Sequence, residues 1–243
     1  MAGHSKWANI KHRKSAQDAR RAKAFTRVAR EIMVAARTGG GDPSANPRLR
    51  AAIAAARGVN MPNDKIEKAI KKGLGETEAA AFEEVFYEGY GPNGVAIFVS
   101  ALTDNRNRTT SAIRHLFSKY GGELGSPNSV AWMFERKGYI TVPKAGIEEE
   151  ELLEKALEAG AEDVRTEDEF YEVLTSPEDF HDVRDRLEAA GVPMESAEVA
   201  MLPQNFVEVK ASEAESLLNL LEALEEHDDV QKVSANCQVV ESA

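Results

Sequence analysis

Cysteine and long apolar runs are what this 243-residue sequence has least of. Its single cysteine, Cys237, excludes an intramolecular disulfide framework and a zinc cage built from cysteines. No apolar run approaches the ~20 residues that cross a bilayer, and the N-terminus lacks the apolar stretch of a secretory signal. We therefore expect a cytoplasmic protein without a membrane-spanning helix.

Catalytic and metal-binding patterns are also missing. The five histidines are scattered and include no His-x-x-x-His pair, so the sequence predicts no metal site. The triplet Gly39–Gly41 lacks the Gly-Lys-Ser/Thr ending of a P-loop and is interpreted as a flexible connection between helices. Carboxylates are plentiful, but no pair is marked out for acid–base chemistry. We expect a protein that is not an enzyme, with no cofactor and no small-molecule substrate.

Charge, in contrast, is abundant and unevenly divided. The chain carries a net charge of -11, yet residues 1–75 hold 17 Lys/Arg against 5 Asp/Glu, and residues 76–243 hold 13 against 36. Screening at cell salt acts over ~8 Å, so distant carboxylates do not cancel a basic surface at the other end of a chain this long. The asymmetry indicates a basic module with a partner of its own.

The first third of the sequence has helical periodicity. Residues 15–41 predict a long amphipathic helix that ends at the glycine triplet. Asn46 and Pro47 are typical of the start of a second helix, which Gly58 ends. A third helix is predicted between Pro62 and Gly73. Three amphipathic helices with tight connections predict a small bundle.

From residue 82 the hydrophobic period changes to two. Strands are predicted on both sides of a turn at Gly91–Gly94, followed by a helix, a strand at 129–135 and a C-terminal strand, helix and strand. Residues 136–204 have the order β-α-β-β-α-β, which is ferredoxin-like. The predicted fold class is α+β multidomain, with an N-terminal three-helix bundle and two α+β domains, the second ferredoxin-like and inserted into the first. The predicted domains are a basic helical domain at 1–78, an α+β domain at 79–135 and 205–243, and the inserted domain at 136–204.

Residues 3–14, GHSKWANIKHRK, form a basic leader without a carboxylate. Its cations Lys6, Lys11, Arg13 and Lys14 are spaced so that they can follow a phosphate backbone, and Trp7 offers a ring on which an unstacked base can lie. The alternative interpretation is that Trp7 packs onto the bundle and the charges are merely solvated. The leader is the first candidate for nucleic-acid contact.

The first predicted helix carries a basic face opposite its apolar face. The members of this basic face are Arg20, Lys23, Arg27, Arg30 and Arg37. Together with the leader they give the electrostatic footprint expected of a nucleic-acid-binding surface. The alternative is a protein-interaction adaptor in which these arginines meet an acidic protein.

The segment LTDNRNRTT, residues 102–110, leaves a strand and enters a helix. Free backbone N–H groups and the helix dipole favour an anion there, and Arg106 and Arg108 add positive charge. Two interpretations stay open, a second phosphate contact or an ordinary helix cap with solvated arginines. The acidic runs IEEEELLEKALEAG and LEEHDD are interpreted as solvated helix faces, with docking onto basic proteins as the alternative.

Several long stretches, taken together, resemble the YebC family nearly end to end. They include AGHSKWANIKHRK, TGGGDPSANPRLRAAIAAAR, NMPNDKIEKAIKKG, TDNRNRT and SVAWMFERKG. The resemblance implies a three-domain protein, and its bacterial members are usually called transcriptional regulators, whereas its mitochondrial members resemble translational activators. The resemblance also implies two signature segments of the family. The signature leader comprises Lys6, Trp7, Lys11, His12, Arg13 and Lys14, and the signature loop comprises Asn105, Arg106, Asn107 and Arg108.

The sequence thus predicts a non-enzymatic nucleic-acid-binding regulator of gene expression. The first hypothesis is a DNA-binding transcriptional regulator; the alternative is a translation factor, associated with the ribosome or ribosomal RNA, that relieves stalling or activates translation. Backbone contacts carry no sequence information, and the leader does not resemble a helix-turn-helix reader. We therefore expect recognition of shape or backbone, with DNA or ribosomal RNA as partner and no contact with a membrane.

Overall fold

The computed structural model describes residues 17–75 and 82–240, with side chains from residue 24 onward. The helices are α1 (Gln17–Gly39), α2 (Pro47–Gly58), α3 (Asn63–Gly73), α4 (Arg106–Lys119), α5 (Glu149–Ala159), α6 (Phe180–Ala189) and α7 (Glu215–Glu226). The strands are β1 (Glu83–Tyr90), β2 (Ala96–Thr103), β3 (Glu123–Leu124), β4 (Phe134–Pro143), β5 (Asp163–Thr166), β6 (Phe170–Thr175), β7 (Ser196–Pro203), β8 (Val207–Lys210), β9 (Val230–Ala235) and β10 (Cys237–Val240). The mixed α+β fold class is confirmed.

Helices α1, α2 and α3 pack around one hydrophobic cluster and form what we call the helical module, residues 17–75. Ile32, Leu49 and Ile66 are buried in this cluster, one from each helix. A Cβ added to Gly73 would lie 2.3 Å from the carbonyl oxygen of Met33, so the end of α3 sits directly on the backbone of α1. The predicted three-helix bundle is present.

The connection between α1 and α2 is fixed by the buried side chain of Asn46. Its Oδ1 accepts a hydrogen bond from the backbone N–H of Leu49 at 3.0 Å, which caps α2. Its Nδ2 donates to the carbonyl oxygens of Ala35 and Gly40, both at 2.8 Å. The predicted cap is confirmed. The glycine triplet, which the sequence predicts to be a flexible connection, is anchored by the hydrogen bonds from Asn46 to Ala35 and Gly40.

A four-stranded antiparallel sheet in the order β3-β1-β2-β9, here called the central sheet, follows the helical module. One face packs against α4 and α7 through buried side chains that include Ile97, Phe117 and Leu220. The opposite face carries Phe86 and Phe98, whose neighbours include Phe134 at the start of β4. Strands β8 and β10 form a separate parallel pair.

The second sheet is antiparallel and has the order β5-β6-β4-β7. Helices α5 and α6 cover one face, where Ile140, Leu152 and Leu187 are fully buried. Element order and strand order together are ferredoxin-like, as predicted. We call this unit the ferredoxin-like module.

The predicted strand at 129–135 is wrong for most of its length. Residues Ala131–Met133 form a 3-10 turn, and β4 begins only at Phe134. The cause is Glu88 of β1, whose carboxylate accepts hydrogen bonds from the backbone N–H groups of Val130 and Ala131 at 2.9 and 2.7 Å. These bonds to a side chain replace the ladder that a strand would need.

Candidate nucleic-acid interface

The leader and the start of the basic face lie outside the side chains that the structure describes. Lys6, Trp7, Lys11, His12, Arg13 and Lys14 precede the first described residue. Arg20 and Lys23 belong to α1, but their side chains are not described. The roles assigned to these eight positions stay predictions.

Arg30 faces the acidic corner, which we define as residues 225–229 at the end of α7 and the turn into β9. Its Nη1 lies 2.9 Å from Oδ1 of Asp229 and donates to the carbonyl oxygen of Asp228. Its guanidinium also lies 5.2 Å from the ring centroid of Phe82. Arg30 therefore joins the helical module to the central sheet and is not part of an open basic face.

Arg27 lies one turn earlier on α1 and points toward the same corner. Burial lowers the pKa of Arg27, and the negative charges of Glu225 and Asp228 oppose this effect. The side chain lines a cavity of about 160 Å³ together with Glu225, Glu198 of β7 and Gln231 of β9. The predicted basic face is thus interrupted at Arg27 and Arg30, because α1 packs against carboxylates that lie some two hundred residues away in the sequence.

Asp229 is the centre of this contact and is only 2% exposed. Besides Arg30, it accepts hydrogen bonds from Nη2 of Arg108 at 3.1 Å and from Oγ1 of Thr109 at 2.6 Å. Burial on its own would raise the pKa of Asp229, but the hydrogen bonds from Thr109 and Arg108 and the charge of Arg30 outweigh it and hold the pKa below its usual range. The carboxylate is therefore ionised at neutral pH and binds two cations.

The segment 102–110 forms a helix cap. Oδ1 of Asn105 accepts the backbone N–H of Arg108 at 3.1 Å and so caps α4. The Arg108 side chain is held by two carboxylates, Asp104 at 2.8 Å and Asp229 at 3.1 Å. Arg106 is exposed and makes no ion pair with any residue in the described ranges. Of the two predicted arginines, Arg108 is the one paired with carboxylates in the described part of the chain.

Exposed cations lie in the last turns of α1 and α3. Arg37, Lys71 and Lys72, here called the cationic end, form no ion pair within residues 17–75 and 82–240. Arg37 and Lys72 line the same cavity, about 450 Å³ in volume, beside Leu74 and Phe82. Sequence reasoning singled out Arg37 but missed the two lysines. The signal was present in the run KAIKK, which places both lysines in the last turn of α3.

Comparison with known proteins gives matches across the whole chain. Residues 5–76 match the model of the TACO1/YebC protein N-terminal domain, and residues 82–237 match the model of the TACO1/YebC second and third domain. The chain belongs to the TACO1/YebC family. A "Probable transcriptional regulatory protein" of Carboxydothermus hydrogenoformans is 59% identical over 99% of this chain and 100% of its own length. Another protein of that description, from Persephonella marina, is 56% identical over 98% of this chain and 96% of its own.

The fold is also shared with a solved structure. The crystal structure of a conserved hypothetical protein from Aquifex aeolicus superposes with a TM-score of 0.88 at 53% identity, covering 98% of each chain. This TACO1/YebC member therefore has the family's architecture. The curated relatives carry names of regulatory proteins, specifically of transcription, rather than of enzymes.

The groups in this TACO1/YebC chain that could act as nucleophiles or metal ligands have the following surroundings. Among the described residues no three His, Cys, Asp or Glu side chains are grouped so that they could hold a metal ion. Burial raises the pKa of the Cys237 thiol to about 11, so it is protonated and unreactive at neutral pH. The buried pair in the ferredoxin-like module, in which Tyr139 donates to Glu172 at 2.6 Å, joins β4 to β6. Within the described ranges no helix has the length and apolar character to span a membrane.

Proposed function

We propose that this protein is a cytoplasmic nucleic-acid-binding regulator of gene expression, acting on transcription through contact with duplex DNA. The names of its relatives support a regulatory role in transcription. The observation that carries nucleic-acid contact is the cationic end: Arg37, Lys71 and Lys72 are exposed and have no carboxylate partner among the described residues. Unneutralised cations on one surface are what a phosphate backbone binds.

The proposed contact surface begins at the leader and continues along α1. Its members are Lys6, Trp7, Lys11, His12, Arg13, Lys14, Arg20, Lys23 and Arg37, extended by Lys71 and Lys72. Exposed Arg106 provides a separate contact on α4. Because cations of this kind neutralise phosphates without reading bases, the proposal is a backbone binder with little sequence preference of its own.

Arg27, Arg30 and Arg108 are given a different role. Arg30 forms a buried ion pair with Asp229, Arg108 binds the same carboxylate, and Arg27 lies near the charges of Glu225 and Asp228. Removing one partner from a buried ion pair such as Arg30–Asp229 is costly. We assign the three arginines to the docking of the helical module on the central sheet. This docking fixes the orientation of the cationic end relative to the central sheet.

Ribosome association is a second candidate, favoured by the charge of residues 76–243, which hold 13 Lys/Arg against 36 Asp/Glu. Such a surface repels a long duplex and attracts basic ribosomal proteins. In this candidate the helical module binds the ribosomal RNA. The protein is then a translation factor that contacts both components of the ribosome.

One competition experiment distinguishes the candidates. Purified protein is mixed near cell salt with ribosomes and genomic duplex DNA together, and the two are then separated by sedimentation. Transcriptional regulation predicts that the protein stays with the DNA, and recovery with ribosomes instead supports the second candidate. Recovery with neither, together with no gel shift on duplex DNA at low salt, contradicts both.

A further inference from the structure

Three large aromatic side chains are exposed on one side of the central sheet. Phe86 is 53% exposed, Tyr90 is 37% exposed and Trp132 is 64% exposed. Phe86 and Tyr90 lie four residues apart on β1, so both point away from the core under α4 and α7. We call these three residues the aromatic surface. An exposed aromatic group of this size is typical of an interaction site.

Trp132 and Tyr90 are held side by side by a shared acceptor. Nε1 of Trp132 donates to the carbonyl oxygen of Ser129 at 3.2 Å. The hydroxyl of Tyr90 donates to the same carbonyl oxygen at 3.4 Å. Trp132 therefore keeps most of its ring in solvent and Tyr90 about a third of its surface, while the polar atoms of both are hydrogen-bonded.

The backbone beneath Trp132 is fixed by Glu88. This buried carboxylate lies between Phe86 and Tyr90 on β1, where it accepts the N–H of Asn128 at 2.7 Å in addition to those of Val130 and Ala131. Because these hydrogen bonds already order the loop, a partner that binds there loses little free energy to loop ordering. Rigid, exposed tryptophan and tyrosine are the side chains that contribute most at protein interfaces.

Phe86 is anchored from below in the same way. Its ring centroid lies 5.6 Å from that of Phe98 on β2, and Phe98 lies 6.2 Å from Phe134 on β4. Phe98 and Phe134 are buried, so Phe86 is the outermost ring of an aromatic row. The aromatic surface is therefore supported along its whole length by packed rings and hydrogen bonds.

Charge around the aromatic surface selects the kind of partner. Glu123 of β3 is exposed and lies directly across from Tyr90, and Glu84 is exposed on the same face of β1 as Phe86. The cation beside them, Arg48, is 3.4 Å from Glu84 and is also bound at 2.7 Å by Glu31. A border of carboxylates repels a nucleic acid and attracts cations.

We propose that the aromatic surface docks a segment of a partner protein that presents apolar and arginine side chains. A guanidinium group stacks on the face of Trp132 and pairs with Glu123, while apolar side chains cover Phe86 and Tyr90. This surface shares no residue with the cationic end, so the proposal does not depend on nucleic-acid binding. It gives the protein a second contact, to a basic protein.

The test uses the fluorescence of Trp132 in the full-length chain. Because the sequence has two tryptophans, the substitution Trp7→Phe leaves Trp132 as the only reporter. The protein is titrated with a short peptide of alternating leucine and arginine, with a matched leucine–glutamate peptide, and with single-stranded oligo-dT. We expect a saturable blue shift with the arginine peptide and an affinity about tenfold lower, or none, for the other two probes.

Matched variants in the Trp7→Phe background show whether the peptide binds at this place. Phe86→Ala removes an aromatic ring of the surface and is expected to weaken the arginine peptide by about tenfold. Leu157→Ala, at an apolar residue 78% exposed on α5, is the control and leaves binding unchanged. Glu123→Lys reverses the border charge without touching the packed rings, and it decides the test where Phe86→Ala does not fold by circular dichroism.

Four outcomes overturn the proposal. They are the absence of any shift with the arginine peptide, an equal response to the glutamate peptide, a Trp132 shift that saturates at a lower concentration of oligo-dT than of the arginine peptide, and a blue shift produced by protein concentration alone. The third outcome identifies a nucleic-acid surface, and the fourth identifies a second copy of this chain as the occupant.

Discussion

Nη1 of Arg30 in α1 lies 2.9 Å from Oδ1 of Asp229, and both side chains are largely removed from solvent. The pair connects the helical module to the central sheet, and Arg108 binds the second oxygen of the same carboxylate. Removing one partner from such an arrangement leaves an uncompensated buried charge, which is far more costly than losing a surface ion pair. Asp229 is therefore where the docking of the helical module is most sensitive to substitution.

The substitution Asp229→Asn keeps the shape of the side chain and removes its charge. We expect the free energy of unfolding to fall by about 3 kcal/mol, because the buried Arg30 loses its carboxylate and Arg108 keeps only Asp104. Urea denaturation followed by circular dichroism measures the change. The control is Asp185→Asn, at an exposed partner of Arg184, for which the change stays within about 0.5 kcal/mol. Equal stabilities of the two variants would show that the buried pair does not hold the modules together.

The same carboxylate predicts a pH dependence. Since the folded-state pKa of Asp229 is lowered, its contribution to stability is fully present above the unfolded pKa of about 3.9 and is lost as pH falls through the folded value. The difference in unfolding free energy between the native protein and Asp229→Asn should therefore be constant from neutral pH down to about pH 5 and shrink below that. A difference that instead shrinks between pH 7 and pH 5 would assign the effect to another group.

The cationic end predicts a loss of nucleic-acid binding with a specific salt signature. In the variant Arg37→Glu/Lys71→Glu/Lys72→Glu we expect weaker duplex binding and a log–log salt slope reduced by about three, since each lost phosphate contact removes about 0.9. Fluorescence anisotropy on duplex DNA across a salt series measures both quantities.

A matched control separates local contact from net charge. The variant Arg114→Glu/Arg136→Glu/Lys210→Glu changes three exposed cations outside the helical module and alters the total charge by the same amount. Its salt slope should stay close to that of the native protein. If both triple variants weaken binding equally, the cationic end is not the contact and only the overall charge matters.

Trp7→Ala decides between stacking on a base and packing on the bundle. If the ring stacks, as we predict, binding of a single-stranded oligonucleotide weakens by about 1–3 kcal/mol while the melting temperature is unchanged. If the ring packs, the melting temperature falls and the affinity for the oligonucleotide stays the same. Thermal unfolding and anisotropy on one preparation give both readings.

Much of the local structure could be predicted from the sequence because its signals are local. Asn46 caps its helix as predicted, and Asn105 caps α4, which is one of the two interpretations that the sequence left open; each cap is a contact between residues three positions apart. The alternation of helical and strand periodicity in residues 136–204 correctly predicted the ferredoxin-like order of helices and strands. The domain boundaries at 78, 135 and 204 stay a prediction, one that the separate hydrophobic clusters of the three regions support.

What sequence reasoning missed depends on contacts between distant residues. A helical wheel places Arg27 and Arg30 on the face opposite the α1 core, but it cannot show that the acidic corner covers that face. The 3-10 turn at Ala131–Met133 likewise depends on Glu88, which belongs to a different strand. In both places a polar side chain from elsewhere in the fold overrides what the local pattern favours.

The single amide group of Asn46 sets a limit on how this protein can diverge. It binds the last turn of α1, the glycine loop and the first turn of α2 at once, and a Cβ at Gly39 would come within 2.7 Å of it. Exposed positions between these anchors, such as Ala45, can accept other side chains. An insertion or deletion there would pull the amide away from at least one of its three partners, so homologues should vary this loop in composition while keeping its length.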